Sequence, residues 1–67
     1  MSELPIAAVD RIIRKATGLR VSEEAAKELA DILEDHGIKI SQQASLLSKH
    51  ANRKTITEDD IKLAIKK

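Results

Sequence analysis

The side chains of this chain that could do chemistry are mostly cationic, and they are sorted along the sequence. From Arg11 to Arg20 there are four positives, Arg11, Arg14, Lys15 and Arg20, and no acid. From His36 to Ile56 there are Lys39, Lys49, Arg53 and Lys54, again with no acid. Between these blocks, Glu23 to Asp35 carries six acids against Lys27 alone. The net charge of +1 hides this segregation. A guanidinium is flat and weakly hydrated, which suits a narrow, negative groove. The ammonium of Lys54 and the hydroxyl of Thr55 suit phosphate oxygens. On charge alone, an ordinary solvated surface with chance clustering accounts for the sorting equally well.

Other chemistries are poorly served. The chain has no cysteine, so disulfides and cysteine-based metal sites are excluded. His36 and His50 lie fourteen residues apart and cannot share one helix face as ligands, so no metal or cofactor is expected. With no Gly-rich phosphate loop, no His/Ser/Asp set at usable spacing and little volume for a buried site, the chain is not expected to be an enzyme. The absence of aromatic residues argues against base stacking on single strands and removes the usual walls of a small-molecule pocket. Met1 to Ile6 contains Glu3 with no apolar run after it, and no segment reaches the length of a membrane span. A soluble, intracellular protein without membrane partners is expected.

The elements that would carry these cations can be read from spacing and caps. Pro5 suits a first helical turn, and Ile6, Val9, Ile12, Ile13 and Ala16 follow at helical spacing, predicting a short helix from about Pro5 to Ala16. Thr17-Gly18 stops it, and Leu19-Arg20-Val21 is a short extended piece. Ser22 then caps a long helix from Glu23 to Ala51, with Glu23 and Glu24 placed to favour its dipole. Asn52 suits a left-handed residue after that helix. Arg53-Lys54-Thr55-Ile56 is a second extended piece. Thr57 caps a last helix, with Asp60 at the capping-box position and Ile61, Leu63, Ala64 and Ile65 on its apolar side. The prediction is all-α, one domain over residues 1–67.

The long helix sets the assembly. Ala26, Leu29, Leu33, Gly37, Ile40, Ala44, Leu47 and Ala51 recur in steps of three and four and draw one apolar face. Such a helix spans roughly 42 Å, whereas a compact monomer of this size should be only about 22–25 Å across. Without disulfides, a chain of 67 residues has a marginal core, and oligomerisation is the remaining remedy. A second copy covering Leu29, Leu33, Ile40 and Leu47 is the simplest solution. Gly37, near the helix midpoint, is either a neutral surface glycine or the place where two such helices cross closely. The crossing is favoured, because the midpoint is where a symmetric one falls.

Together these residues resemble the archaeal histones. The resemblance rests on Glu3-Leu4-Pro5-Ile6-Ala7, Ile12-Ile13-Arg14, Arg20-Val21-Ser22, and the run from His50-Ala51-Asn52-Arg53-Lys54-Thr55-Ile56 into Glu58-Asp59-Asp60-Ile61-Lys62-Leu63-Ala64. It covers nearly the whole chain, and Arg-Lys-Thr-Ile followed by Asp-Ile is its most specific part. It implies a histone fold in a handshake dimer: the long helices cross about Leu29, Leu33, Gly37 and Ile40, and the first loop of one chain pairs with the second loop of its partner. It implies DNA contacts from Arg11, Arg14, Lys15, Arg20, Lys54 and Thr55, with arginines entering the minor groove about every 10 bp and little base reading. It implies an intrachain salt bridge between Arg53 and Asp60. It also implies a dimer–dimer interface of Leu47, His50, Asp60 and Leu63, with His50 bonding a neighbour's Asp60. His36 has no assigned chemistry.

The expected partners are therefore double-stranded DNA, a second copy, higher oligomers and histone paralogues, in a chromosome-associated, cytoplasmic setting. The expected activity is wrapping or compacting DNA in nucleosome-like particles. The alternative is a histone-fold heterodimerisation module of a transcription-related complex, which usually lacks a full set of basic loop residues. A helix-turn-helix repressor needs a recognition helix after a tight turn, which the long helix does not provide. Two departures from the family pattern stand out. Thr17 replaces a common glycine, with Leu19 near a usual acid, and Asn52 replaces a frequent glycine. The first would hinder close stacking of wrapped turns.

Overall fold

The computed structural model describes residues 3–66. It is all-α, with α1 (Ile6–Thr17), α2 (Glu23–His50) and α3 (Glu58–Ala64) in short–long–short order, and no strand among the described residues. The two inter-helix segments are irregular. Contacts divide the chain into two compact units that meet within α2, one ending at Asp35 and the other starting at His36.

In the first unit, α1 begins one residue later than the sequence reading. Pro5 is extended, at φ −64° and ψ 120°, and acts as the flanking residue. Its carbonyl accepts from the N–H groups of Ala8 and Val9. The helix stops at Gly18, whose φ of 71° is accessible to a residue without Cβ and whose N–H reaches the Arg14 carbonyl at 2.8 Å. Thr17 remains helical because its hydroxyl donates back to the Ile13 carbonyl, 2.9 Å away, and accepts from Leu19 N–H at 3.1 Å. Ser22 then accepts from Ala25 N–H and caps α2, and Glu23 and Glu24 occupy its positive end. The Glu3 N–H donates to the Glu34 carboxylate, tying the N-terminal segment to α2. The buried residues here are Val9, Ala26 and Ala30.

In the second unit, α2 ends at His50 and the chain turns by a double C-cap. Asn52 adopts φ 59°. Its N–H bonds the Lys49 carbonyl, and Arg53 N–H bonds the Ser48 carbonyl at 2.9 Å. These are the two bonds of a Schellman motif. Thr57 and Asp60 then form a reciprocal capping box at the start of α3. Ala44, Ser48 and Asp60 are buried.

No large side chain is fully buried among the described residues. The buried line of α2 is made of Ala26, Ala30, Ala44 and Ser48. The larger residues beside it stay open: Leu33 is 41% exposed, Ile32 53% and Leu46 61%. Leu29 and Ile40 are half-buried. A Cβ placed on Gly37 would meet nothing within 4 Å, so nothing in the chain itself requires glycine there.

Candidate nucleic-acid interface

The cations of α1 converge on open ground. Arg11, Arg14 and Lys15, with Ala8 and Ile12, line an open hollow of about 490 Å³. A smaller one of about 240 Å³ is lined by Arg14, Gly18, Leu19 and Arg20. Arg14 borders both. The helical turn makes this arrangement, because positions 11, 14 and 15 share one face, and the left-handed Gly18 brings Arg20 back toward it. Arg14 is partly oriented by an i−4 partner, with Nε 2.7 Å from Asp10 Oδ1. The pair is exposed on the arginine side, and such pairs contribute only about 0.3–0.5 kcal/mol. An incoming phosphate can therefore displace or share it. Arg11, Lys15 and Arg20 have no ion-pair partner among the described residues. Leu19, beside Arg20, is also exposed.

The second loop is built differently. Lys54 and Thr55 are exposed, yet the residues around them are bound tightly. The Arg53 guanidinium forks onto Asp60, Nη1 to Oδ2 at 2.9 Å and Nη2 to Oδ1 at 2.8 Å. Nη1 also donates to the Thr55 carbonyl at 3.2 Å. Asp60 Oδ2 accepts the Thr57 N–H at 2.9 Å as well. The Arg53 hydrogen bond, then the Thr57 N–H, hold the Asp60 carboxyl well below the usual carboxylate range. The same bond raises Arg53. Arg53 is thus spent on the fold, while Lys54 keeps its charge free.

Ser48 belongs to this loop and was not among the sequence-level site residues. Its hydroxyl lies 2.9 Å from the Thr55 carbonyl and 3.2 Å from the Arg53 carbonyl, so its single proton is shared between them. The available signal was a serine on a face otherwise lined by alanine at Ala44, one turn earlier.

Leu47, His50 and Leu63, together with Leu46 and Ala64, line an open apolar hollow of about 330 Å³ in the second unit. Asp60 is nearly closed off, its side chain 4% exposed. With three bonds accepted, it keeps acceptor capacity on Oδ1. Arg20 and Lys54 fall in different units. Among the described residues no group of His, Cys, Asp and Glu is placed to hold a metal ion, and no helix is long and apolar enough to cross a membrane.

Comparison with known proteins agrees with this architecture. The chain is 52% identical over 66 residues to the archaeal histone HAN1 of Thermococcus zilligii, covering 98% of each chain. It is 44% identical over 66 residues, at the same coverage, to probable archaeal histone 3 of Methanocaldococcus jannaschii. A family model described as histone-like transcription factor (CBF/NF-Y) and archaeal histone matches residues 2–65, and the chain belongs to that family.

Proposed function

We propose that this chain packages duplex DNA as a histone homodimer, a single histone-fold unit per chain, associated with the chromosome and without catalytic activity. The observation that carries the reading is the pair of open hollows sharing Arg14 and edged by Arg11, Lys15 and Arg20. Convergent cations on an unenclosed surface suit a repeating phosphate backbone. In the dimer, Arg20 of one copy stands near Lys54 and Thr55 of the other, giving a second type of contact. Binding is driven by the DNA backbone, and the sequence dependence comes from how easily the duplex bends. The complete basic set favours this over a heterodimerisation module.

The dimer answers the burial problem. Leu29, Leu33 and Ile40 lie about Gly37, and a chain with no large buried side chain gains most by covering them. The thermal midpoint should therefore rise with protein concentration. A concentration-independent midpoint in a species shown to be monomeric would overturn the dimer. Dimers join further through Leu47, His50, Asp60 and Leu63, with His50 of one dimer using the remaining Asp60 acceptor of the next. Histone paralogues can substitute for a copy in either contact.

The direct test is electrophoretic mobility shift on random-sequence duplex at low salt, followed by nuclease digestion of complexes on long DNA. Shifting without sequence preference, and a short ladder of protected fragments, is expected. His50→Ala should leave dimers that bind short duplex but lose the larger particles. Thr17→Gly should lengthen the ladder, since close-stacked turns no longer meet the threonine side chain. Failure to shift random duplex rejects DNA packaging. A ladder unchanged by His50→Ala rejects the dimer–dimer contact alone.

A further inference from the structure

We propose that Ser48 is a positioning residue for DNA binding: it fixes the backbone on both sides of Lys54, so that the lysine meets a phosphate without first ordering its loop. The inference rests on the reading of Lys54 as a DNA contact. Ser48 is 3% exposed and sits in the last turn of α2. Its carbonyl takes the Arg53 N–H, and its hydroxyl serves the Arg53 and Thr55 carbonyls. Lys54 therefore lies between two residues that are both tied to one serine. The Thr55 carbonyl is held a second time by Arg53 Nη1, whose guanidinium is itself locked on Asp60.

The choice of serine matters at this position. In a Schellman turn, the third residue from the helix end commonly makes an apolar contact with the residue two beyond the helix cap. Here those residues are Ser48 and Arg53, and a hydrogen bond takes the place of that contact. An alanine would preserve α2, being the best helix former. It would also preserve the Arg53 N–H bond, which uses only backbone. What it would remove is the side-chain hold on the loop carbonyls, leaving them to Arg53 and water. Ordering a free loop on binding costs affinity that a preformed loop retains.

A double-mutant cycle on a fixed random-sequence duplex tests this, using the full chain, Ser48→Ala, Lys54→Ala and the double variant, each checked for helicity and dimer mass. Ser48→Ala should stay dimeric, bind DNA about three- to tenfold more weakly, the effect of one hydrogen bond, and flatten the salt dependence toward that of Lys54→Ala. In the Lys54→Ala background it should change nothing further. A role in stability alone would shift the thermal midpoint without this non-additivity. Equal weakening in both backgrounds overturns the proposal, as does wild-type affinity in Ser48→Ala when Lys54→Ala is weak. No effect of Lys54→Ala rejects the underlying contact, and the proposal with it. The unmodified protein supplies a check independent of any variant: in DNA-free dimer the Lys54 amide should show an NMR order parameter near that of rigid backbone, about 0.85, and a value under about 0.6 overturns the proposal.

Discussion

The two loops that flank α2 carry similar cargo on different scaffolds. The first, from Gly18 to Ser22, presents Arg20 between two local devices, the Thr17 hydroxyl bonded to Leu19 N–H and the Ser22 cap on Ala25 N–H. No ion pair involves it among the described residues. The second, from Ala51 to Thr57, presents Lys54 inside a network that joins the end of α2, the loop carbonyls and the start of α3. A loop held only at its ends lets its arginine adapt, which suits a groove whose width varies with sequence. A loop held along its length gives its lysine a set position, which suits a phosphate at a regular spacing.

The sharpest way to break this contrast is to remove the centre of the second network. Asp60→Ala deletes both Arg53 bonds and half of the α3 capping box at once. It should produce the largest fall in thermal midpoint of any single loop substitution, several times that of Ser22→Ala, together with weaker DNA binding. A midpoint like that of Ser22→Ala would show that the network does not stabilise the second loop beyond an ordinary cap. Ser22→Ala itself should cost about 1 kcal/mol, lowering the midpoint by about 4–8 °C.

Acid reads the same network without mutation. Asp60 has a folded-state pKa below its unfolded value, so its contribution to stability is fully present above the ordinary carboxylate range. It is lost as pH falls from about 4 toward the folded value. Arg53 stays charged throughout. Stability measured by chemical denaturation should therefore decline on acidification below about pH 4, and Asp60→Asn should make that decline shallower. An equally steep decline in the variant would assign the acid sensitivity to other carboxylates.

On DNA, the loops should differ in kind more than in size. Lys54→Ala removes two phosphate contacts per dimer and should flatten the log–log salt slope by about 1.8, alike on all duplexes. Arg20→Ala should also weaken binding but, in addition, reduce the preference for narrow-minor-groove sites. Uniform loss in both variants would erase the distinction between an adaptive and a fixed loop. The smallest effect is expected from Thr17→Val, which keeps the shape and removes the hydroxyl bonds of an exposed turn. It should cost under about 1 kcal/mol in thermal unfolding.

Much of this was readable from residue order because it depends on neighbours along the chain. Caps act over three or four residues, so Ser22, Thr57 with Asp60, and the left-handed Gly18 and Asn52 are all legible at short range. The helix boundaries moved by a residue or so where side chains extended or trimmed a turn, as Thr17 does through its bond to the Ile13 carbonyl. The grouping of Arg11, Arg14 and Lys15 follows from helical period alone. The pairing of Arg53 with Asp60 was reachable only through family resemblance, since a separation of seven across a loop has no fixed geometry.

What the sequence by itself determined is the set of elements and their polarity: three helices, one of them long, an apolar stripe with small residues along it, and cations massed at both loops. Local hydrogen bonding and 3.6-residue periodicity are sufficient for that. Only the tertiary structure decided which of those residues are spent internally. Whether Arg53 faces DNA or Asp60, whether Ser48 is a surface hydroxyl or the tie beneath Lys54, and whether alanines or leucines of α2 are buried within one chain all depend on the path by which the loop returns. A folded loop brings carbonyls, guanidinium and carboxylate within 3 Å or so of one another, and no periodicity encodes that closure, because its energy comes from several groups meeting at once.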